Sequence, residues 1–148
     1  MTAEQKKDLV RRYYQEVWTK GNVDFADQVF TEDYVNCDPA TPGVRLEGRQ
    51  AFKGLVNTLR GAFQDMVMTI DRQHVDGDVV VSEWTCRAVH RGPLMGLAPS
   101  GRAGETTGIT ISSFRGERIR EDRAVWDLFG LLTRLGALPG APPAPAQR

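Results

Sequence analysis

The apolar residues of this chain change period once, from helical spacing to strict alternation, and that switch limits the fold more than any other feature. On the N-terminal side, Leu9, Val10, Tyr13, Tyr14, Val17 and Trp18 recur at helical spacing up to Gly21, behind a capping box of Thr2 and Gln5. Asp24 stands where it would cap a short second helix carrying Ala26, Val29 and Phe30. After Gly48 a third helix presents Phe52, Leu55, Val56, Leu59 and Phe63 on one face. Between them, Tyr34 to Pro39 reads as a short extended piece entering a loop through Pro42 and Gly43. From Met66 onward the period is two: Met66, Met68 and Ile70 alternate with Val67, Thr69 and Asp71, and Asp76-Gly77 is a hairpin turn. The next strand, about residues 79 to 91, sets Val80, Trp84, Cys86, Ala88 and His90 against Glu83, Thr85, Arg87 and Arg91 on the other face. Strands near Thr106 to Arg115 and Arg118 to Asp127 follow, and Leu128 to Leu135 predict a short C-terminal helix stopped by Gly136. Three helices followed by a run of antiparallel strands predict an α+β domain with helices on one face of a strongly curved sheet.

Composition narrows the function. The 148 residues carry 19 Lys+Arg and 19 Asp+Glu, a balance that argues against general nucleic-acid binding. No window approaches the apolar length of a membrane span, and the N-terminus lacks a secretory apolar stretch, so a cytoplasmic protein with no membrane partner is expected. Cys37 and Cys86 form no C-x-x-C and are expected as free thiols. His74 and His90 stand in no metal-binding spacing, and neither G-x-G-x-x-G, a P-loop nor G-x-S-x-G is present. One domain over residues 1–138 is expected, with residues 139–148, rich in Pro and Ala, as a disordered tail.

A few residues carry chemistry. Asp127 lies between Val125-Trp126 and Leu128-Phe129, where desolvation would raise its pKa and make it a usable acid or base. The commoner use of an aspartate just before a helix is as its N-cap. His90, sharing a face with Trp84, is either a polarising group beside Asp127 or a histidine satisfied at a strand end. On the last strand Arg123 has the parity of Asp127, and it faces a ligand only if Trp126 points away. Asn36 is placed to donate to a ligand, Asp38 before Pro39 to form an Asx turn, and Tyr14 to reach an interior cavity with its hydroxyl.

Several stretches resemble the SnoaL-like polyketide cyclase family, within the nuclear-transport-factor-2-like superfamily. They are Tyr34-Val35-Asn36-Cys37-Asp38-Pro39, Gly48-Arg49-Gln50-Ala51-Phe52, Val89-His90-Arg91-Gly92, Gly96-Leu97-Ala98-Pro99-Ser100-Gly101 and the run from Trp126 to Gly136. The resemblance implies a cone, in which a curved antiparallel sheet and three N-terminal helices enclose an apolar cavity. It also implies an intramolecular aldol ring closure of a hydrophobic small molecule, run by an aspartate without metal or cofactor. Asp127 stands where that aspartate would, with His90 as its catalytic partner and Asn36, Tyr14, Trp84 and Arg123 as substrate-binding residues. Cys37 and Arg123 depart from the family pattern, which has His and Trp there. The same fold also carries epoxide hydrolases, isomerases, small-molecule carriers and dimerisation modules, and a homodimer is expected.

Overall fold

A computed structural model of the chain describes residues 1–40 and 44–138. The expected tail over residues 139–148 and the turn at Pro42 and Gly43 lie outside the described residues. Helix α1, Ala3–Tyr13, begins at the predicted capping box: Gln5 N donates to Thr2 Oγ1 at 3.1 Å and Thr2 N to Gln5 Oε1 at 2.8 Å. The helix then widens into a π-helical segment, Tyr14–Thr19, a rare geometry that is frequent at functional sites. A 3₁₀ turn, Val23–Phe25, leads into the short α2, Ala26–Val29, without the expected Asp24 cap. Asp24 instead pairs with Lys53 at 3.2 Å, and Asp27 reaches the same ammonium at 2.9 Å, which ties α2 to α3, Arg49–Ala62.

The strands are β1 Phe30–Cys37, β2 Arg45–Glu47, β3 Phe63–Asp76, β4 Val79–His90, β5 Ala103–Arg115 and β6 Arg118–Trp126, and α4 is Leu128–Arg134. They form one sheet in the order β2-β1-β6-β5-β4-β3. The sheet is mixed where antiparallel pairing was expected throughout. β3 to β6 make an antiparallel meander, but β1 lies beside β6 in parallel, with Asn36 opposite Asp122. A parallel neighbour needs a long crossover, supplied here by everything from α3 to β5.

Bulges curve the sheet. Register slips between Gln64 and Val67 and between Ile70 and Arg72 on β3, and between Ser113 and Phe114 on β5, each add twist and bend. Asp65 absorbs the first slip with a left-handed backbone, φ 55°. The concave face holds two apolar clusters. One is aromatic, with Phe30 stacked on Tyr34 at 3.7 Å and Phe52 edge-on to both. The other gathers Phe63, Met66, Ala88, Leu94, Leu131 and Leu135 beneath α4. Among the described residues no helix is long and apolar enough to cross a membrane.

Candidate active site

The parity of β6 decides what faces the interior. Asp122, Ala124 and Trp126 point to the concave side, while Arg123 and Val125 are exposed on the convex side. Between the sheet and α1 and α3 lies a cavity with about 810 Å³ of empty space, mouth included. Tyr13, Tyr14 and Trp18 enter it from the first helix, Phe52, Leu55 and Leu59 from α3, and Leu131 from α4. The sheet contributes Met66, Met68, Trp84, Cys86, Ala88 and Trp126, so the walls are mostly apolar and aromatic.

Asp122 is the ionisable centre of this cavity, with 2% of its surface exposed. The Tyr34 hydroxyl donates to its Oδ2 at 2.8 Å, and Ser112, its cross-strand neighbour on β5, donates to Oδ1 at 2.5 Å. Tyr13 adds a third hydrogen bond. Burial raises the Asp122 pKa, the three hydroxyls pull it back, and nearby Glu121 adds a small upward push, leaving it at about 6. A carboxyl group poised there is ionised at neutral pH yet basic enough to take a proton.

The donors around it come from several elements. Asn36, 6% exposed, sits opposite Asp122 on β1 and lines the cavity. Tyr14 donates to Thr110 Oγ1 at 2.7 Å, and the Trp84 indole donates to the same oxygen at 2.9 Å. Burial, with the Asp122 charge behind it, pushes the Tyr14 phenol far up, so it stays a neutral hydroxyl. A second carboxylate, Asp38, accepts from Ala40 N at 2.8 Å, the expected Asx turn, and from the Trp126 indole at 2.9 Å. Cys86 is a free thiol pushed by burial to about 12, which leaves it protonated and a poor nucleophile.

Three of the sequence-predicted residues lie elsewhere. Asp127 is the N-cap of α4, its Oδ1 accepting from Gly130 N at 2.9 Å, and its side chain is 46% exposed. It does not line the cavity, because the chain leaves β6 at Trp126 and turns outward into the helix. His90 is fully buried at the end of β4 but outside the cavity wall. Its Nδ1 accepts from Ser100 N at 3.1 Å, so it fastens the 91–102 loop, and its ring lies 5.5 Å from that of Phe63. Arg123 pairs with Glu121 at 2.8 Å on the outside of the sheet. The expected Asp127–His90 couple is therefore not assembled. Of Asp122, Arg123 and Asp127, Asp122 alone faces the cavity.

The family model for SnoaL-like polyketide cyclases matches residues 8–135. The chain belongs to the SnoaL-like polyketide cyclase family. A candidate polyketide cyclase from Acidithiobacillus ferrooxidans superposes on this SnoaL-like chain with a TM-score of 0.83 at 29% identity, covering 92% of this chain and 98% of that one. IdmH from Streptomyces antibioticus, also a candidate polyketide cyclase, gives 0.77 at 26%, covering 88% and 97%. TsrD from Streptomyces laurentii, at 22% identity, shares the fold with a TM-score of 0.83 over 93% of this chain and 99% of its own. No curated protein matches.

Of the residues expected to contact substrate, this SnoaL-like domain brings Asn36, Tyr14 and Trp84 into the cavity and turns Arg123 away. Sequence reasoning missed Asp122 and Thr110. The signal for Asp122 was the alternation itself: a strand that turns Trp126 inward also turns residues 124 and 122 inward.

Proposed function

We propose that this protein closes a ring in a hydrophobic, poly-β-carbonyl small molecule by an intramolecular aldol reaction in which Asp122 is the general acid/base. The observation that carries this reading is a desolvated carboxyl group, with a pKa of about 6, facing an apolar cavity between Asn36 and Thr110. Asp122 takes the acidic proton from a carbon flanked by carbonyls, and the C–H electron pair moves onto a carbonyl oxygen. The enolate carbon attacks a second carbonyl of the same molecule, and protonated Asp122 returns the proton to the new alkoxide. Because the β-dicarbonyl already delocalises the carbanion, the aromatic walls contribute most by holding a flexible chain in its reactive fold. No cofactor has a role in this scheme.

Asp127 and His90 support this chemistry indirectly: the first caps the helix that brings Leu131 to the cavity, and the second pins the loop behind Phe63. The exposed apolar residues Ile109, Ile111 and Val125, on neighbouring strands of the convex face, support a homodimer formed through that face.

The test is Asp122→Asn assayed on a panel of linear poly-β-ketone esters, with cyclised product measured by mass and retention. A folded variant at least ~100-fold slower is expected, within the usual contribution of general acid–base catalysis. Cyclisation at the wild-type rate would overturn the assignment. Tight ligand binding without turnover by the wild-type protein would favour a carrier.

A further inference from the structure

Among the described residues lining the cavity, the side-chain N–H and O–H groups are committed at all but two places. Trp18 donates to the Tyr13 oxygen, Tyr13 is bonded to Asp122, Trp126 donates to Asp38, and Thr106 donates to the Asp127 carbonyl. The amide of Asn36 is one exception. The other is the Tyr14–Thr110 pair.

A hydroxyl has one proton to give and two lone pairs to fill, whereas an indole N–H only donates. Thr110 Oγ1 receives both the Tyr14 hydroxyl at 2.7 Å and the Trp84 N–H at 2.9 Å. The phenol is the more acidic of the two hydroxyls, so its proton makes the bond between them; the Thr110 lone pairs are then used, and no acceptor among the described residues takes the Thr110 proton. Both donors polarise the oxygen, which makes that remaining O–H a stronger donor. Thr110 is 3% exposed and lines the cavity, so the proton is held where leaving it unpaired is costly. The cavity is the side from which an acceptor for it can come.

Position gives this donor its use. On β5, Ser112 stands opposite Asp122 and Thr110 opposite Ala124, which puts Thr110 diagonally across from Asp122 on the same face. Such diagonal neighbours lie roughly 7–8 Å apart, room for one carbonyl and its α-carbon between a base and a donor. Asn36 flanks Asp122 from the opposite strand, so the carboxyl group stands between two uncommitted donors. An aldol closure has two carbonyl oxygens to polarise.

We propose that Thr110, loaded by Tyr14 and Trp84, is a catalytic residue that donates its hydroxyl proton in a hydrogen bond to the carbonyl oxygen on which the enolate charge develops. This rests on the cyclase reading for its role in turnover, but the donor itself is testable without turnover.

The binding arm uses 1-tetralone and tetralin, a matched ketone and hydrocarbon, titrated against the full chain by tryptophan fluorescence; all three tryptophans line the cavity. The wild-type protein should favour the ketone by roughly 3- to 10-fold, the worth of one net hydrogen bond. Thr110→Val should level the two, and Thr110→Ser should restore the preference. Infrared spectra of the bound ketone need no variant: its carbonyl stretch should fall below the position it has in hydrocarbon solvent. An unshifted stretch in the wild-type protein, or a preference that survives in Thr110→Val, overturns the proposal. In the turnover arm, Thr110→Val should lower kcat by about 10²–10³ while KM rises by no more than the roughly 3- to 10-fold of the binding arm, and Thr110→Ser stays near wild type. Failure of the wild-type protein to cyclise anything would sink the cyclase reading and leave the binding result standing.

Discussion

Asp122 should make this fold less stable as the pH rises, against the usual behaviour of carboxylates. In the native state burial lifts its pKa from 3.8 to about 6 despite three hydrogen bonds. Between those values the native protein holds a proton that the unfolded chain has released, so raising the pH favours unfolding. The stabilising effect of the protonated group is fully present below 3.8 and is lost as pH climbs through about 6. At about 1.4 kcal/mol for each pH unit of separation, this group costs the native state roughly 3 kcal/mol by neutral pH. Carboxylates in ion pairs, such as Asp33 held at about 2 by Arg115, act with the opposite sign over more acidic pH and mask the effect in the wild-type curve alone. The difference between wild type and Asp122→Asn cancels them. Urea unfolding of both proteins, followed by tryptophan fluorescence from about pH 4 to about pH 7, should show the wild-type advantage shrinking by roughly 2–3 kcal/mol. Tyr34→Phe removes one hydrogen bond to the carboxylate and leaves the ring stacked on Phe30. Such a bond is worth about 1.5–3 kcal/mol, which should carry the Asp122 midpoint above pH 7 and move the acidic limb of activity with it. A wild-type minus Asp122→Asn difference that stays constant to within ~0.5 kcal/mol across the range would mean that the carboxyl group is not desolvated, and the pKa argument would fail.

Three further outcomes follow from the geometry. Asp127→Ser keeps an N-cap and removes the carboxylate, so stability should change by no more than about 0.5 kcal/mol and cyclisation should persist, whereas Asp127→Ala should cost about 1 kcal/mol in urea unfolding; abolished turnover in a folded Asp127→Ser protein would restore Asp127 as the acid/base. At Gly108 a β-carbon would collide with the Trp84 ring and with Trp126 Cβ, so Gly108→Ala should destabilise by about 1–3 kcal/mol and disturb near-ultraviolet circular dichroism. Val125→Lys sets a charge in the exposed apolar patch of the convex face, and sedimentation should show the proposed dimer weakened relative to wild type without loss of helix or strand content, whereas equal sedimentation of the two proteins would overturn a dimer through that face.

The large features of this fold were legible because they rest on periodicity, which survives in a single sequence. The switch of period marks where α3 gives way to β3, the box of Thr2 and Gln5 starts α1, and Asp76-Gly77 turns β3 into β4. What periodicity lacks is information about partners. Nothing local distinguishes a last strand that pairs antiparallel on one side from one that also takes β1 in parallel on the other, so the mixed sheet was not visible. Asp24 was misread for the same reason, since its partner Lys53 lies on a different helix.

The exchange of Asp127 for Asp122 as the cavity's acid has a sharper cause. Asp127 attracted notice because its neighbours in sequence are apolar, but sequence neighbours on a strand point to opposite faces, so they say little about what a side chain meets. Asp122 lies between Glu121 and Arg123 and looks solvated; those two pair with each other on the outer surface, while Asp122 faces inward toward phenols from α1 and β1. Burying it needs those hydroxyls, because a carboxyl group without them would be far costlier to desolvate. The same parity that hides Trp126 therefore fixes the acid, and Tyr34, Ser112 and Tyr13 set how basic it is. A charged residue flanked by an outward ion pair, in phase with an inward-facing tryptophan on one strand, is accordingly a better mark of an interior acid than a charged residue in an apolar run.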